Sequence, residues 1–172
     1  TGAMAALLAH GTDAQKQNWL PQIADGSYTM AFAITEADAG SNSHNITTTA
    51  TRDGDEWVLK GSKTYISGVD EAQGILVVGR LADEKTGNLK PCLFVVPTDA
   101  PGLEMQVIDM TFDAPEKQFT LFFDDIRLPA DALVGDEDAG LLQLFAGLNP
   151  ERIMGAAYSN GMSRFALNAA VE

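Results

Sequence analysis

Residues 28–43 read YTMAFAITEADAGSNS and combine a strand signal with a turn signal. The first half, residues 28–35, is rich in β-forming side chains and predicts a largely buried strand. The second half brings two acidic residues and then Gly40 and Ser41, followed by two more small polar residues. Glycine allows a positive φ, and small polar residues leave backbone N–H groups free to point into one concavity. The stretch therefore predicts a strand that ends either in a turn suited to a phosphate or pyrophosphate or in an ordinary structural turn.

The composition opposes several classes of function. The chain has 172 residues, 45% of them hydrophobic and 20% charged, which is typical of one folded domain or of a domain with part of a second. Its formal net charge of -13 opposes binding to nucleic acids and to anionic membranes. No apolar run approaches the roughly 18 residues that a membrane span needs. The single cysteine, Cys92, predicts a core thiol in a reducing compartment.

The periodicity changes from helical to β and back along the chain. Residues 3–9 and about 12–24 have helical patterns, and a polar loop is predicted at residues 82–88. The predicted strands span residues 28–35, 46–52, 56–60, 63–67, 75–81, 92–96, 103–108, 119–123 and 126–128. Short strands at this spacing are typical of a closed or nearly closed β unit. We therefore predict an α+β fold in which an antiparallel, barrel-like middle domain is flanked by helices.

A helical pattern returns from Gly140 to the end of the chain. Asn149-Pro150 interrupts it, either as the N-cap and first turn of a new helix or as a kink in a continuous one. Both ends of the chain have helical patterns, without an initiator methionine at the start or a helix breaker at the end. These features predict an internal fragment of a longer protein.

Two predicted strand ends carry small hydroxyl groups. Thr35 precedes the polar turn, and Ser67 closes the stretch TYIS at residues 64–67. Tyr65 lies two residues before Ser67 and so projects from the same face of the strand. A ring beside a hydroxyl would pack against and orient a flat heteroaromatic ligand. The alternative is a core tyrosine beside an ordinary strand terminus.

Glu151 lies on an apolar helical stripe. At steps of three and four residues it shares one helix face with Leu144, Leu148, Gly155, Tyr158 and Met162. A carboxylate buried on such a face would keep its affinity for protons near neutral pH, as a general base requires. The alternatives are an exposed glutamate and one that is merely paired with Arg152.

Taken together and in order, these stretches resemble the acyl-CoA dehydrogenase family. The matching text is GTDAQK at residues 11–16 with Leu20-Pro21, FAITE at 32–36, AGS at 39–41, GSKTYIS at 61–67, Pro101-Gly102, FDDIRLP at 123–129, and residues 140–152. The resemblance covers nearly the whole chain. It implies the end of an N-terminal helical domain over residues 1–27, a middle β domain over 28–133 and the start of a C-terminal helical domain over 134–172.

The resemblance also implies which residues bind FAD and acyl-CoA. By similarity, the flavin would be contacted by Phe32, Ile34, Thr35, Gly40, Ser41, Tyr65, Ile66 and Ser67. Thr35 would lie near the pyrimidine edge, Ser41 at the pyrophosphate and Ser67 near flavin N5. The substrate would be contacted by Ser41, Leu141, Asn149 and Arg152, with Leu141 along the pantetheine.

The implied reaction removes two hydrogens from an acyl-CoA thioester and needs no metal. A glutamate takes the α proton, the β hydrogen leaves as a hydride to the flavin, and an electron-transfer flavoprotein collects the electrons. In most members this glutamate lies on a later helix, whereas in a minority it directly precedes the arginine that Arg152 matches, which makes Glu151 the candidate base. An acyl-CoA oxidase and a flavin-binding module without dehydrogenase activity are the alternatives on this fold. The family also implies a homodimer or homotetramer in the bacterial cytoplasm or the mitochondrial matrix, and we expect the fragment alone to be inactive.

Overall fold

The computed structural model describes residues 2–82, 89–111, 114–137 and 141–171. After Ala82, the predicted polar loop at residues 82–88 lies outside the described residues. The side chain of Leu141 also lies outside the described residues, so its predicted contact with the substrate stays a prediction.

Within these ranges, helices flank a run of strands, as the α+β prediction requires. The helices are α1 (Gly2–His10), α2 (Asp13–Asp25) and α3 (Leu141–Val171), with short 3-10 turns at Ser43–Asn45 and Ala130–Ala132. The strands are β1 (Met30–Ala33), β2 (Thr49–Asp53), β3 (Glu56–Ser67), β4 (Gly74–Ala82), β5 (Leu89–Pro97), β6 (Leu103–Ile108), β7 (Gln118–Pro129) and β8 (Leu133–Val134). No helix in the described part of the chain has both the length and the apolar character needed to cross a membrane.

Helix α2 begins and ends where capping rules predict. Thr12 Oγ1 accepts the N–H of Gln15 at 3.2 Å, and Gln15 Oε1 accepts the N–H of Thr12 at 3.0 Å, which completes a capping box. Gly26 follows the helix with a φ of 82°, the left-handed conformation that glycine adopts without strain. Gln15 Nε2 also donates to the carbonyls of Asp131 at 2.6 Å and Leu133 at 2.8 Å, which fastens α2 to the end of the sheet.

The described strands form one sheet in the order β6-β7-β3-β2-β4-β5-β8, with β1 pairing beside β4. Neighbouring strands are antiparallel except that β4 runs parallel to both β1 and β2. In these ranges β6 and β8 each pair with one strand, so the hydrogen bonding does not close into a ring.

Two predicted strand interruptions are wrong, as is one of the two interpretations of Asn149-Pro150. Strand β3 continues through Gly61, and β7 continues through Asp125, because a shift in their register opposite these positions absorbs the irregularity. Gly61 has a φ of 145° and Asp125 a φ of 50°. The interpretation of a new helix at Asn149 is also wrong, since α3 runs continuously with Pro150 inside it. Close packing of α1 on α3, where a Cβ on Gly147 would lie 2.8 Å from the carbonyl oxygen of Gly2, supports the helix in this region.

Strands β4 and β5 are buried on both faces, so the core has two parts. One face contributes Ile75, Val77, Phe94 and Val96 to a cluster with side chains of β3 and β7. The other face contributes Leu76, Val78, Leu93 and Val95 to a cluster with α1 and the first turns of α3. Burial on both faces explains why these two strands are continuous apolar runs in the sequence.

Candidate functional site

A cleft of about 570 Å³ lies where the end of β1, the end of β3 and the first half of α3 meet. It is lined by Thr29, Met30, Ala31, Phe32, Ile34, Thr35, Tyr65, Ile66, Ser67, Gly68, Glu71, Glu116, Leu148, Glu151 and Met154. A separate cavity of about 350 Å³ between α2 and β5 is lined by none of the predicted site residues.

The cleft brings together most of the residues predicted to bind the flavin. Those that line it are Phe32, Ile34, Thr35, Tyr65, Ile66 and Ser67, so the two strand-end hydroxyls share one cavity. Gly40 and Ser41 do not line it; both are exposed, in a bend after the short bridge between Glu36 and Ala39. Their predicted contact with a pyrophosphate therefore stays a prediction.

The wall formed by β3 owes its shape to a bulge. The register with β7 shifts between Lys63 and Ile66, and Tyr65 adopts a φ of 58°, which is uncommon for a residue other than glycine. As a result Tyr65 is 62% exposed at the cleft instead of lying in the core. The N–H of Thr64 donates to the carbonyl of Thr35 at 2.9 Å, which ties this bulge to the end of β1.

The hydroxyl of Ser67 has a partner on the neighbouring strand. Gln118 Nε2 donates to Ser67 Oγ at 2.9 Å, and Gln118 Oε1 lies 3.1 Å from the same oxygen. The amide of Gln118 therefore holds the Ser67 hydroxyl in place at the mouth of the cleft.

Directly behind Thr35 lies a buried ion pair that sequence reasoning did not assign to the site. Glu36 is 6% exposed and Lys63 is 0% exposed, and Lys63 Nζ lies 2.8 Å from Glu36 Oε1. The carboxylate also accepts hydrogen bonds from the backbone N–H and hydroxyl of both Thr47 and Thr48, at 2.6–3.0 Å. Lys63 Nζ donates in addition to the carbonyl of Ile34 at 2.9 Å.

These contacts keep both members of the pair ionised at neutral pH. Burial alone would raise the pKa of Glu36, but the hydrogen bonds of Lys63, Thr48 and Thr47 and the charge of Lys63 together lower the pKa to about 2. Burial lowers the pKa of Lys63 to about 8, against the opposing hydrogen bond and charge of Glu36.

A signal for this pair was present in the sequence. Lys63 is in phase with Trp57 and Leu59 at the period of two residues that a strand imposes, so it points into the core. A buried lysine needs a carboxylate and further acceptors. Pairing it with Glu36 required the contact between β1 and β3, which has no local signature.

Glu151 is half-buried and lines the cleft from α3, together with Leu148 and Met154. Its Oε1 accepts the N–H of Gly2 at 2.7 Å. Arg152 instead approaches Asn149 Oδ1 at 3.4 Å and the ring of Phe145 at 5.2 Å. The alternative of a glutamate paired with Arg152 is therefore wrong. The predicted stripe is buried only in part, because Tyr158 and Met162 are exposed.

The predicted substrate residues on α3 lie beside the cleft residues in sequence but do not line the cleft. Asn149 is exposed, as is Arg152. Their predicted contact with CoA stays a prediction.

The arrangement has the parts of an enzyme site for a flat ligand: apolar walls, two hydroxyls at strand ends and a carboxylate on the facing helix. The family model described as "Acyl-CoA dehydrogenase, middle domain" matches residues 31–126, more than half of the chain. The chain belongs to the acyl-CoA dehydrogenase family, and the fold class predicted from the sequence is confirmed.

Curated relatives and solved structures agree with this assignment. Acyl-CoA dehydrogenase FadE12 of Mycobacterium tuberculosis is 68% identical over 162 residues, which are 94% of this chain and 42% of the relative. The structure of a glutaryl-coenzyme A dehydrogenase in complex with glutaryl-CoA matches with a TM-score of 0.90 at 29% identity, over 99% of this chain and 43% of that one. A glutaryl-CoA dehydrogenase from Mycobacterium smegmatis, solved in complex with FADH2, matches with a TM-score of 0.77 at 32% identity, over 86% of this chain and 36% of that one. The chain thus spans less than half the length of these relatives.

Proposed function

We propose that the whole protein is an FAD-dependent acyl-CoA dehydrogenase that converts an acyl-CoA thioester to the trans-2-enoyl-CoA. The electrons would pass to an electron-transfer flavoprotein. The observation that carries the proposal is the single cleft that joins Thr35, Tyr65 and Ser67 to the carboxylate of Glu151. The 172 residues would supply the middle β domain, over residues 28–133, with parts of the helical domains on either side.

The residues of the cleft fit the ring system of a flavin. A volume of about 570 Å³ lies within the usual range for small-molecule sites, roughly 300–1,000 Å³. Phe32, Ile34 and the exposed ring of Tyr65 offer apolar surface for a planar ligand, and Thr35 and Ser67 offer hydroxyls for its polar edges. When bound, FAD would supply the acceptor for the hydrogen that leaves the β carbon.

In this proposal Glu151 removes the proton from the α carbon of the thioester. Its carboxylate oxygen takes the proton as the α C–H bond breaks, and that electron pair becomes part of the new C=C bond while the β hydrogen departs with its own pair. The hydrogen bond from the N–H of Gly2 would hold the carboxylate of Glu151 in one orientation. A glutamate elsewhere in the whole protein is the competing assignment for the base.

The remaining contacts belong to the same proposal. Ser41 and Gly40 would bind the pyrophosphate, and Leu141, Asn149 and Arg152 would contact the CoA portion of the substrate. A homodimer or homotetramer in the bacterial cytoplasm or the mitochondrial matrix is the proposed setting. The buried free thiol of Cys92 supports a reducing compartment.

The test is anaerobic reduction of the flavin in the whole protein by a panel of acyl-CoA thioesters. Loss of the visible flavin absorbance and formation of enoyl-CoA are expected, with reoxidation by an electron-transfer flavoprotein. Peroxide formation in air at a comparable rate would favour an oxidase. Failure of every thioester to reduce the flavin would favour a binding module and would overturn the proposal.

The base assignment is tested separately with Glu151→Gln. The rate of flavin reduction should fall by about 10²- to 10⁴-fold, the usual contribution of a general base. Glu71→Gln, which removes a different carboxylate from the same cleft, is the matched control and should reduce the flavin at close to the wild-type rate. A wild-type rate for Glu151→Gln would assign the base to another residue.

A further inference from the structure

The buried pair of Glu36 and Lys63 adjoins two segments that line the cleft, the end of β1 and the end of β3. Lys63 Nζ holds the carbonyl of Ile34, whose side chain lines the cleft, at 2.9 Å. Lys63 is also two residues before Tyr65, which lines the cleft from β3. One ammonium group therefore connects the end of β1 to the bulge in β3.

The carboxylate of Glu36 fixes this connection to a third segment. Its two oxygens accept hydrogen bonds from the N–H and hydroxyl groups of Thr47 and Thr48, just before β2. A carboxylate with five donors, Lys63 included, has one allowed orientation. The residue before it, Thr35, is thereby held in one place at the edge of the cleft.

Stability alone is a poor explanation for such a pair. Removing two charges from water is costly, and well-packed apolar residues of similar volume often replace a buried ion pair with no loss of stability. What apolar side chains do not supply is direction, because dispersion contacts lack the geometric requirements of hydrogen bonds. The pair is thus better suited to setting positions than to holding the fold together.

The bulge that the pair adjoins also needs support. Tyr65 has a φ of 58°, and residues in sparsely populated backbone regions persist only where their surroundings over-determine them. On one side Lys63 is anchored to Glu36, and on the other Ile66 pairs with Phe119. The N–H of Thr64, inside the bulge, donates to the carbonyl of Thr35.

We propose that Glu36 and Lys63 are positioning residues of the cleft, which hold the end of β1 and the bulge of β3 in register so that Thr35 and Ser67 face one ligand. The identity of that ligand as a flavin rests on the function proposed above, whereas the positioning itself is a property of the protein without a ligand.

The test uses Glu36→Gln, Lys63→Met and the double variant in the whole protein. Each single variant leaves a buried group without its partner and should lower the melting temperature, and the double variant should recover most of that loss. In the double variant, the amide of Thr64 should exchange with solvent faster, while the amides of β4 and β5 keep wild-type protection. The dissociation constant for FAD should rise by about 10- to 100-fold, the usual effect of replacing a residue that orients a binding residue. The absorption spectrum of the bound flavin should also shift.

An exposed ion pair between β3 and β7 provides the matched control. Lys60 Nζ lies 3.6 Å from Asp125 Oδ1, and both side chains are more than 60% exposed. The double variant Lys60→Met/Asp125→Asn should leave exchange at Thr64 and the affinity for FAD at wild-type values.

Separate results overturn the inference and the proposed function. If the double variant folds and keeps wild-type exchange at Thr64, or keeps wild-type FAD affinity and spectrum, the pair is not a positioning device. If the wild-type protein does not bind FAD, the proposed function fails and amide exchange alone decides the inference. If the double variant does not fold, Thr47→Ala, which removes one donor to Glu36 at an exposed residue, is measured instead, with the same expectations at smaller amplitude and the same criteria for refutation.

Discussion

Gly61→Ala should be among the most destabilising small substitutions in the chain, because β3 passes Thr48 too closely for a side chain. A Cβ on Gly61 would lie 2.6 Å from Thr48 Oγ1, 2.7 Å from its Cα and 2.9 Å from its Cβ. Rotation of the threonine side chain would not relieve the contact with its Cα. The backbone φ of 145° adds strain for any residue with a Cβ.

The expected cost follows from these two effects. Backbone strain of this kind costs about 1–3 kcal/mol, and overpacking of a tight contact costs about 1–3 kcal/mol more. Two matched glycines separate the effects. Gly54 has a φ of 62° and open space where a methyl group would be added, so Gly54→Ala should cost about 1–2 kcal/mol from backbone strain alone. Gly40→Ala has neither a positive φ nor a neighbour within 4 Å and should change stability by less than about 1 kcal/mol.

Urea unfolding of the three variants, followed by tryptophan fluorescence, to which the buried Trp57 contributes with Trp19, measures the series. The predicted order of destabilisation is Gly61→Ala, then Gly54→Ala, then Gly40→Ala. A loss for Gly61→Ala equal to that for Gly54→Ala would show that the contact with Thr48 has no energetic weight. The argument that β3 packs tightly against Thr48, one of the donors to Glu36, would then be refuted.

Three further predictions concern pH, the thiol and the long helix. Because the pKa of Glu36 is lowered from 4.5 to about 2, its stabilisation is present above pH 4.5 and is lost as the pH falls toward 2. Wild-type stability should therefore fall more steeply in that window than that of Glu36→Gln, and parallel curves would contradict the network. Burial raises the pKa of the Cys92 thiol to about 12, so Cys92 should resist a thiol reagent until urea unfolds the chain, and rapid labelling in native buffer would argue against its burial. The 172-residue chain should self-associate with rising concentration in sedimentation experiments, less so in Phe165→Asp, and a strictly monomeric wild type would count against this reasoning. The exposed apolar side chains of α3 that motivate it are Ile153, Met154, Tyr158, Met162, Phe165, Leu167 and Val171.

Local patterns in the sequence predicted most of the elements because the physical causes are local. The alternation of apolar residues in a strand and their spacing of three or four residues on a helix each act within a few residues. The errors fell where tertiary contacts override a local signal. Gly61 and Asp125 suggested strand ends, but pairing with the neighbouring strand carries β3 and β7 through them. The local signal at Asn149-Pro150 left a new helix and a continuous one open, and the structure has the continuous one, packed beside α1.

In the candidate site, too, the features with local causes were predicted and those that depend on tertiary contacts were missed. The hydroxyls and the aromatic ring at strand ends were predicted from position in the strand, and the structure places Thr35, Tyr65 and Ser67 in one cleft. The pair of Glu36 and Lys63 was missed because its two residues are 27 positions apart and meet only once β1 lies beside β3. The positive φ of Tyr65 could not be predicted either, because the neighbouring residues carry no signal for the position of a β-bulge.

The charge of the cleft constrains how a phosphorylated cofactor lies in the protein. Three glutamates, Glu71, Glu116 and Glu151, are among the described residues that line it, and no lysine or arginine is among them. Phosphate groups in such a cleft would meet repulsion at short range, whereas an uncharged ring system would not. The turn at Gly40 and Ser41 lies outside the lining and is exposed. The two carboxylates that precede it oppose an anion less than those of the cleft, because that of Glu36 is neutralised by Lys63 and that of Asp38 is screened by solvent. A ligand with a flat uncharged end in the cleft and its anionic part at this turn is therefore the arrangement that the electrostatics favour, in a chain whose overall charge is -13.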